Sequence, residues 1–311
     1  MATERVQPIV IRTVIEKPGI ILLILLVVLL ALSVSGVGPV RGCLNACAKA
    51  HGKSDGPLRV MVLNVLHGFP SFEQLRSRLD HIASEIRRHD ADLVLLQEVP
   101  WTLRTGDGVR YLAELTGLNH VSVRDNGNRW LLSFDTSLAI LSRYPLTEAA
   151  VRELEPRAGL FEHRVALRVT AITSRGPVQI FVTHLTHGDR EINRRQADSL
   201  ADWVATATSG LTLVGGDFNA APDSPQIEAL SEMWIDAYPA VNRDASGFTC
   251  CIKDLKAGPG RTLDRRIDYL FLVPNRKVKV RRSRRILTEP FRWQGSWQWA
   301  SDHAGLLTEI E

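Results

Sequence analysis

The longest apolar run of the chain lies near its N-terminus, where no charged residue occurs between Gly19 and Val40. Ile20 to Leu32 are apolar without a break, and the run has no polar face, which argues against a helix packed on a soluble core. Its length suits a membrane-spanning helix, and its strictly apolar part also suits a secretory signal. We predict a transmembrane signal-anchor or signal peptide over residues 19–40, after a polar segment over residues 1–18.

Shorter apolar segments alternate with polar ones from Leu58 onward and predict one globular domain over residues 58–311. The small, polar, Gly-containing stretch over residues 41–57 is typical of a linker. Apolar positions at helical spacing predict helices at Ser71–His89, 101–118, Glu191–Thr206 and Asp223–Glu232. Short apolar runs predict strands at Leu58–Leu63, Leu93–Leu96, 120–123, 129–134, 138–142, 164–173, 178–183, Leu211–Val214, Ile267–Val273, Val278–Val280 and Gly305–Ile310. Ser71 and Gln74 are a candidate capping box for the first helix.

One predicted strand leads into the sequence GGDFN, residues 215–219. We expect the two glycines to let the backbone turn sharply, with Asp217 and Asn219 following on an extended stretch. Residues two apart on such a stretch point the same way, so an acid and an amide would face one spot beyond the strand end. The alternative is a strand that runs into an ordinary Asp/Asn-rich turn.

Polar side chains suited to chemistry recur at or beside the ends of the predicted strands. A single residue of this kind carries little information, but seven of them suggest one shared site. They are Asn64, Glu98, His184, Asp217, Asn219, Asp268 and His303.

Composition and charge narrow the function only slightly. The 45% hydrophobic and 23% charged residues are those of an ordinary globular protein, and the formal charge of +4 suits a phosphate-bearing substrate or an anionic surface. The four cysteines lack the paired spacing of a zinc site. Because adjacent cysteines rarely pair with each other, we expect Cys250 and Cys251 to be free thiols.

Seven motifs in order resemble the endonuclease/exonuclease/phosphatase superfamily, which contains pancreatic deoxyribonuclease, AP endonucleases, neutral sphingomyelinases and inositol-polyphosphate phosphatases. The similarity covers residues 58–311. It implies a four-layer α/β sandwich, with two packed, mixed β-sheets flanked by helices and, in this chain, preceded by the N-terminal hydrophobic helix. The motifs are VLNVLHG, VLLQEV, SLAILSRYPL, VTHLTHG, GGDFNA, RRIDYLFL and SDH.

The resemblance also implies a metal site. Glu98 would be the principal ligand, with Asn64 beside it and Asp302 as a further ligand. Carboxylate oxygens suit Mg²⁺, which prefers few carboxylates and keeps several waters, and Mn²⁺ or another divalent cation is the alternative.

The remaining roles are likewise carried over from the resemblance. Asp217 would orient and deprotonate the attacking water, and Asn219 would hydrogen-bond the phosphate. His303 would meet the phosphoryl group while Asp268 keeps it protonated, and His184 would stabilise the transition state.

Arg164 lies where some members place a phosphate-contacting arginine, although a strand-edge arginine is the simpler interpretation. His67 and His187 are interpreted as ordinary loop residues. The SDH motif continues with Ala304-Gly305, where the family often has an apolar residue and proline.

The resemblance fixes a reaction class rather than a substrate. We predict a metal-dependent phosphodiesterase that is anchored to a membrane through residues 19–40, has its catalytic domain outside the cytoplasm and needs no obligate protein partner. The substrate would be a phospholipid headgroup or nucleic acid. A secreted or anchored DNase-like nuclease and an inactive, membrane-tethered binding module are the alternatives.

Two segments bear on that choice of substrate. Residues 276–285, RKVKVRRSRR, would contact nucleic acid or anionic lipid, or else form a charged edge strand that resists aggregation. The aromatic residues before His303 would touch lipid or stack on bases if exposed, and would be core if buried. These are Phe291, Trp293, Trp297 and Trp299.

Overall fold

The computed structural model describes residues 18–44, 46–48, 56–159, 162–207, 210–273 and 278–311, with the backbone alone for residues 30–35. The polar segment predicted over residues 1–18 lies outside these residues apart from Pro18. So do residues 276 and 277 of the basic stretch and residues 45 and 49–55 of the predicted linker.

The larger of the two main sheets has eight strands. Seven follow the spatial order β1-β5-β6-β3-β2-β16-β13, and β4 pairs with β3. The β2–β3 pair is parallel and its neighbours are antiparallel, so the sheet is mixed. Its strands are β1 (Val40–Gly42), β2 (Leu58–Asn64), β3 (Leu93–Thr102), β4 (Gly106–Asp107), β5 (Asn119–Asn128), β6 (Phe134–Ser142), β13 (Val280–Ile286) and β16 (Gly305–Ile310).

The smaller main sheet has six strands in the order β11-β12-β10-β9-β8-β7. The β9–β10 pair is parallel, whereas β12 runs antiparallel to β10. Its strands are β7 (Leu146–Glu153), β8 (Val165–Thr173), β9 (Gly176–His184), β10 (Leu211–Asp217), β11 (Ile235–Asp236) and β12 (Asp268–Val273). The tryptophan-rich stretch forms a separate hairpin of β14 (Phe291–Trp293) and β15 (Ser296–Gln298).

Three apolar cores hold the layers together, and the four-layer α/β sandwich predicted from the sequence is confirmed. One core lies between the sheets, with Val60, Val62 and Leu95 facing Leu213 and Leu270. The others pack helices on the outer sheet faces, where burial of apolar side chains stabilises each helix. The helices of the domain are α2 (Leu75–Arg88), α3 (Gly108–Thr116), α4 (Arg129–Leu132), α5 (Arg190–Val204) and α6 (Pro225–Met233).

The N-terminal apolar run forms helix α1 (Pro18–Ser35). In the described parts of the chain, no helix is long and apolar enough to cross a membrane. Arg41 and Gly42, predicted as the start of a linker, instead belong to β1, which pairs with the outer edge of β5.

Several local predictions are wrong for identifiable reasons. Residues 129–132 are a helical turn rather than a strand, because the Asn128 side chain accepts hydrogen bonds from the two backbone N–H groups that begin α4. The capping box fails, since Gln74 has a left-handed backbone and makes no side-chain cap. Cys250 and Cys251 form a disulfide, as do Cys43 and Cys47, so the prediction of free thiols is wrong.

The glycine pair at the end of β10 also behaves differently from the prediction. Gly215 and Gly216 lie inside the strand and do not turn the chain. A Cβ on Gly216 would lie 2.0 Å from the Thr183 carbonyl oxygen, and one on Gly215 would lie 2.9 Å from Leu95 of the facing sheet. The glycines therefore permit close packing of backbone and sheets directly behind Asp217.

The basic stretch forms β13 at one edge of the larger sheet, which agrees with the edge-strand interpretation. Its arginines contact Glu311, His89 and the Phe248 carbonyl. The aromatic residues that precede His303 differ in exposure. Trp299 is core with its indole N–H donated to the Ala257 carbonyl, whereas Trp293 is 38% exposed.

Candidate active site

The two main sheets meet at one end, and each contributes polar side chains there. The larger sheet supplies Asn64 at the end of β2 and Glu98 in β3, and the loop before β16 adds residues 301–303. The smaller sheet supplies His184, Asp217 and Asp268, which are direct neighbours across β9, β10 and β12. The structure therefore brings together the side chains that the sequence placed at strand ends.

Glu98 lies at a β-bulge rather than at a strand end. The pairing of β3 with β6 shifts register between Leu96 and Val99, and Glu98 has a φ of 55°. A bulge of this kind turns one side chain out of the regular alternation. Here it turns the Glu98 carboxylate to Asn64 Nδ2 at 3.1 Å and to the backbone N–H of His67 at 3.2 Å.

The surroundings of Glu98 keep it ionised. Burial opposes the charge, but nearby imidazoles and the hydrogen bonds from Asn64 and His67 outweigh it and lower the pKa of Glu98 to about 2. His67 Nε2 lies 3.4 Å from the carboxylate. Burial holds the pKa of His184, the other imidazole beside Glu98, well below its usual value, so that imidazole is neutral near pH 7.

Asp302 is the second carboxyl group on this side. Burial and the charge of Glu98 raise its pKa, while His303 opposes the rise. The Ser301 hydroxyl donates to the Asn64 carbonyl at 2.7 Å and accepts the His303 N–H at 3.1 Å, which fixes this loop on β2. The side chains of Glu98 and Asp302 remain 18% and 26% exposed, respectively.

This pair of carboxyl groups fits a divalent cation. Both are hard oxygen donors, both reach solvent, and the repulsion that raises the pKa of Asp302 is what a cation would relieve. Asn64 faces Glu98 and Asp217 with its amide nitrogen, and its amide oxygen accepts from Leu66 N. In this orientation Asn64 links the two carboxylates and does not present an oxygen to the site.

A second cluster, Asp217, Asp268 and His303, has potential ligand atoms within 4.8 Å of one another. His303 Nδ1 is 2.8 Å from Asp268 Oδ2, and the charge of Asp268 raises the pKa of His303 well above its usual value in spite of burial. A protonated imidazole has no lone pair for a metal. Cys250 and Cys251 also lie near His303, but in their disulfide they offer no thiolate.

Asp217 is buried on the smaller sheet beside this histidine. Burial and the charge of Asp268 raise the pKa of Asp217 to about 7, against the opposing effects of His303 and Asn64. Its Oδ1 accepts from Asn219 N at 2.9 Å, and its Oδ2 lies 3.0 Å from Asn64 Nδ2 and 3.8 Å from His303 Nε2. A carboxylate with a pKa near neutrality is suited to accept a proton.

Asn219 reaches the site by a different geometry from the predicted extended stretch. Its φ is 49°, so the chain turns after Asp217 and returns the Asn219 side chain to the same spot. Its amide nitrogen contacts His184 Nε2 and the Leu185 carbonyl, both at 3.0 Å, and its oxygen lies 3.2 Å from His187 Nδ1. Neutral His184 thus accepts from Asn219 and orients it.

Arg164 does not make the contacts expected of a residue that binds the phosphate directly. Its guanidinium forms an ion pair with Glu162 at 2.6 Å. Its positive charge nevertheless contributes to the low pKa of His184 and acts on buried Asp125.

His67 and His187 lie in loops, as predicted from the sequence, but each contacts a residue of the site. One contacts Glu98 and the other contacts Asn219. His67 lies in the motif VLNVLHG and His187 in the motif VTHLTHG. Their presence in these motifs was the only indication in the sequence that they lie near the site.

Sequence reasoning also missed Arg78, which is completely buried in α2. Its guanidinium donates to the carbonyls of Val65 at 2.9 Å, Leu66 at 2.9 Å and Ala300 at 3.0 Å. These carbonyls belong to the loops that follow Asn64 and precede Ser301. Burial lowers the pKa of Arg78 to about 10, and it stays charged. An arginine at a helical core spacing, between Leu75 and Leu79, was the available signal.

The sequence profile of the Endonuclease/Exonuclease/phosphatase family matches residues 61–303. That range includes all the residues of the site described above. None of the curated proteins searched matches the chain.

Solved structures share the fold at low sequence identity. An endonuclease/exonuclease/phosphatase family protein from Leptotrichia buccalis is 18% identical, with a TM-score of 0.64 over 82% of this chain and 99% of that one. The mannosyl-6-phosphatase Bt3783 of Bacteroides thetaiotaomicron is 19% identical, with a TM-score of 0.65 over 82% and 99%. Truncated Caenorhabditis elegans TDP2 is 18% identical, with a TM-score of 0.62 over 81% and 96%.

Proposed function

The chain belongs to the endonuclease/exonuclease/phosphatase family and is a hydrolase of phosphoester bonds, and from this premise we propose that it is a divalent-metal-dependent phosphodiesterase. The observation that carries the proposal is that one amide, Asn64, is hydrogen-bonded to two carboxyl groups with very different pKa values. Glu98 is ionised, and Asp217 takes up a proton near neutral pH. Metal-assisted hydrolysis needs both, one to hold the cation and one to accept a proton from water.

Glu98 and Asp302 would hold the cation, for which Mg²⁺ is the first candidate and Mn²⁺ or another divalent ion the alternative. When bound, it would offset negative charge on the phosphoryl oxygens. His67 supports the site by holding the Glu98 carboxylate through its backbone N–H.

Asp217 would orient the water for in-line attack and accept its proton. Hydrogen bonds from Asn219 N and Asn64 Nδ2 fix its two oxygens, so the lone pairs left over point in a defined direction. The backbone behind it is closely packed, because Gly216 leaves no room for a side chain beside the Thr183 carbonyl. This preorganisation lowers the cost of positioning water at the moment of reaction.

His303 would donate a hydrogen bond from Nε2 to a phosphoryl oxygen as charge develops there. Asp268 retains the proton on Nδ1 and keeps the ring cationic. Asn219 would contact the phosphate after exchanging its bond to His184 for one to substrate, since its amide can donate without adding negative charge.

The site has room for a large substituent on the phosphate ester. On the Asn219 side lies a cavity of about 710 Å³ lined by His187, Arg190, Arg194 and Arg265. A substituent on an ester oxygen could extend into this cavity. On the Glu98 side, the packed rings of His67, Phe134 and Phe72 separate the site from a second cavity of about 810 Å³.

The substrate we propose is a phospholipid headgroup or nucleic acid, hydrolysed outside the cytoplasm. The apolar run Ile20–Leu32 supports the location, as it suits export or association with a membrane. Protease treatment of intact cells and of lysed cells would test it, since only an external domain is cleaved in both.

The full chain should hydrolyse bis-(p-nitrophenyl) phosphate with Mg²⁺ or Mn²⁺, and EDTA should abolish turnover. Asp217→Asn should be inactive, while Asp202→Asn, which alters an exposed acid on α5, should match the wild type. Absence of turnover with every divalent metal would support the binding-module alternative instead. Sphingomyelin and plasmid DNA assayed side by side would separate the lipid substrate from a DNase-like activity.

A further inference from the structure

Large exposed apolar side chains gather beside the Glu98 end of the site. Outside α1, eleven large apolar residues are exposed among the described ones, and six of them lie in this one region. We call these six the apolar rim. They are Phe69, Leu103, Trp130, Leu131, Leu132 and Trp293, exposed by 45%, 75%, 87%, 66%, 48% and 38%.

Four members of the apolar rim are linked through one cavity and the ring of Phe72, and Trp130 and Leu131 precede Leu132 in α4. Leu103, Leu132 and Trp293 line the cavity of about 810 Å³ described above, together with Phe72. Phe72 lies 5.8 Å from Phe69, ring centre to ring centre. Soluble proteins rarely leave so many large apolar side chains together in water without a ligand, a partner or a membrane to cover them.

The apolar rim is connected to the proposed metal end of the site through two side chains, Phe134 and His67. The His67 ring lies 5.0 Å from that of Phe134, which stacks on Phe69 at 5.0 Å, and His67 Nε2 lies 3.4 Å from Glu98 Oε2. A surface that covers the apolar rim would therefore present its polar groups close to Glu98.

The N-terminal apolar helix joins the domain on the same side. β1 runs antiparallel to β5, and before it Gly38 N donates to the Arg124 carbonyl. Traced backwards from Val40, the chain therefore runs along β5 in the direction of Asn128, the last residue of β5. The next residue after β5 begins α4, which carries Trp130, Leu131 and Leu132. The α1 side chains from Ile20 to Leu29 are apolar and 40–61% exposed.

The charges beside the apolar rim are those that an anionic surface would complement. Arg76 and Arg104 line the cavity, and both are exposed. Of the two acids there, Glu73 pairs with Lys256, whereas Asp80 accepts from the neutral Tyr111 hydroxyl and keeps its charge. With Lys256 included, one positive charge remains in excess. Exposed aromatic and aliphatic side chains beside exposed basic residues are typical of proteins that lie on phospholipid bilayers.

We propose that the apolar rim docks on a bilayer containing anionic phospholipid and delivers a phospholipid headgroup to Glu98 and Asp217. The choice of lipid over nucleic acid rests on the proposed phosphodiesterase function, whereas docking itself does not.

Docking can be measured by tryptophan fluorescence of the full chain with vesicles of phosphatidylcholine and phosphatidylglycerol. Bromine on the acyl chains quenches indoles that insert, and α1 contains no tryptophan. The wild type should be quenched by brominated and not by plain vesicles, and Trp130→Phe should lose most of that quenching. Equal quenching in Trp130→Phe, or none in the wild type, would overturn the docking surface, and the latter would favour a protein partner.

Turnover tests the delivery of lipid. Leu131→Ser combined with Leu132→Ser should lower hydrolysis of vesicle phospholipid about tenfold or more, because binding scales with the apolar area inserted. Hydrolysis of soluble bis-(p-nitrophenyl) phosphate should be unchanged. Met233→Ser is the matched control, since Met233 is as exposed as Leu132, at 48%, but lies on α6. Full vesicle turnover in the double variant would refute delivery. If the wild type were quenched by brominated vesicles but hydrolysed no diester, the proposed function would be refuted and the docking surface would still be supported.

Discussion

The two sheets of this protein supply halves of one site with opposite electrostatic character. Glu98 and Asp302, from the larger sheet, are partly open to solvent, and Glu98 is ionised with a pKa of about 2. Asp217 and Asp268, from the smaller sheet, are almost fully buried, and the pKa of Asp217 is raised to about 7. Carboxyl groups of the same kind are thus prepared for different tasks by solvent access and by neighbouring charge.

We expect the largest effect from the buried half. Asp217→Asn should lower kcat on bis-(p-nitrophenyl) phosphate about 10³-fold, within the range of lost general base catalysis, with little change in KM. Steady-state kinetics at saturating Mg²⁺ would measure this. An equal loss in Asp302→Asn that added metal does not restore would contradict the division of labour between the halves.

A somewhat smaller and metal-dependent effect is expected in the open half. Glu98→Gln should weaken Mg²⁺ or Mn²⁺ binding about 100-fold or more, since even residues that only orient a ligand often cost 10- to 100-fold. Titration calorimetry would give the affinity, and activity should recover in part at high metal. Unchanged metal affinity would remove Glu98 from the ligand set.

The pH profile should report the charge of Asp268. Activity needs Asp217 deprotonated, so it rises with pH through about 7, and it needs His303 protonated, so it falls at higher pH. The Asp268 charge raises both pKa values, and Asp268→Asn should therefore move both limbs of the kcat/KM profile to lower pH by about one unit. Movement to higher pH, or of neither limb, would show that Asp268 does not act through charge.

The smallest effect on chemistry is expected from Arg78. It donates to backbone carbonyls of the loops that carry the larger sheet's part of the site and contacts none of the site's side chains. Arg78→Lys should lower the free energy of unfolding by about 1–3 kcal/mol, because buried carbonyls of residues 65, 66 and 300 lose donors. Urea unfolding would measure the loss. Arg88→Lys, at an exposed position of the same helix, should change stability by less than about 0.5 kcal/mol.

Much of the fold followed from local patterns. The strand Gly305–Ile310 matches its prediction residue for residue, and β2, β8 and β9 match theirs within about two residues. These strands are buried, so their apolar runs carry a strong signal. The failures occurred where a single side chain decided the backbone, as at Asn128, or where a bulge extended a strand, as at Glu98.

By itself the sequence determined which residues could share a site, because carboxylates, amides and histidines recur at its predicted strand ends. The expectation of a metal-dependent phosphoester site came from the resemblance of its seven motifs to one superfamily. It did not determine their states. The pKa values of Asp217 and Glu98 depend on burial and on charges contributed by residues far away in the chain, and only the packing of the two sheets sets those. The apolar rim likewise draws on four separate segments of the chain, from Phe69 to Trp293, and their proximity is a property of the folded chain alone.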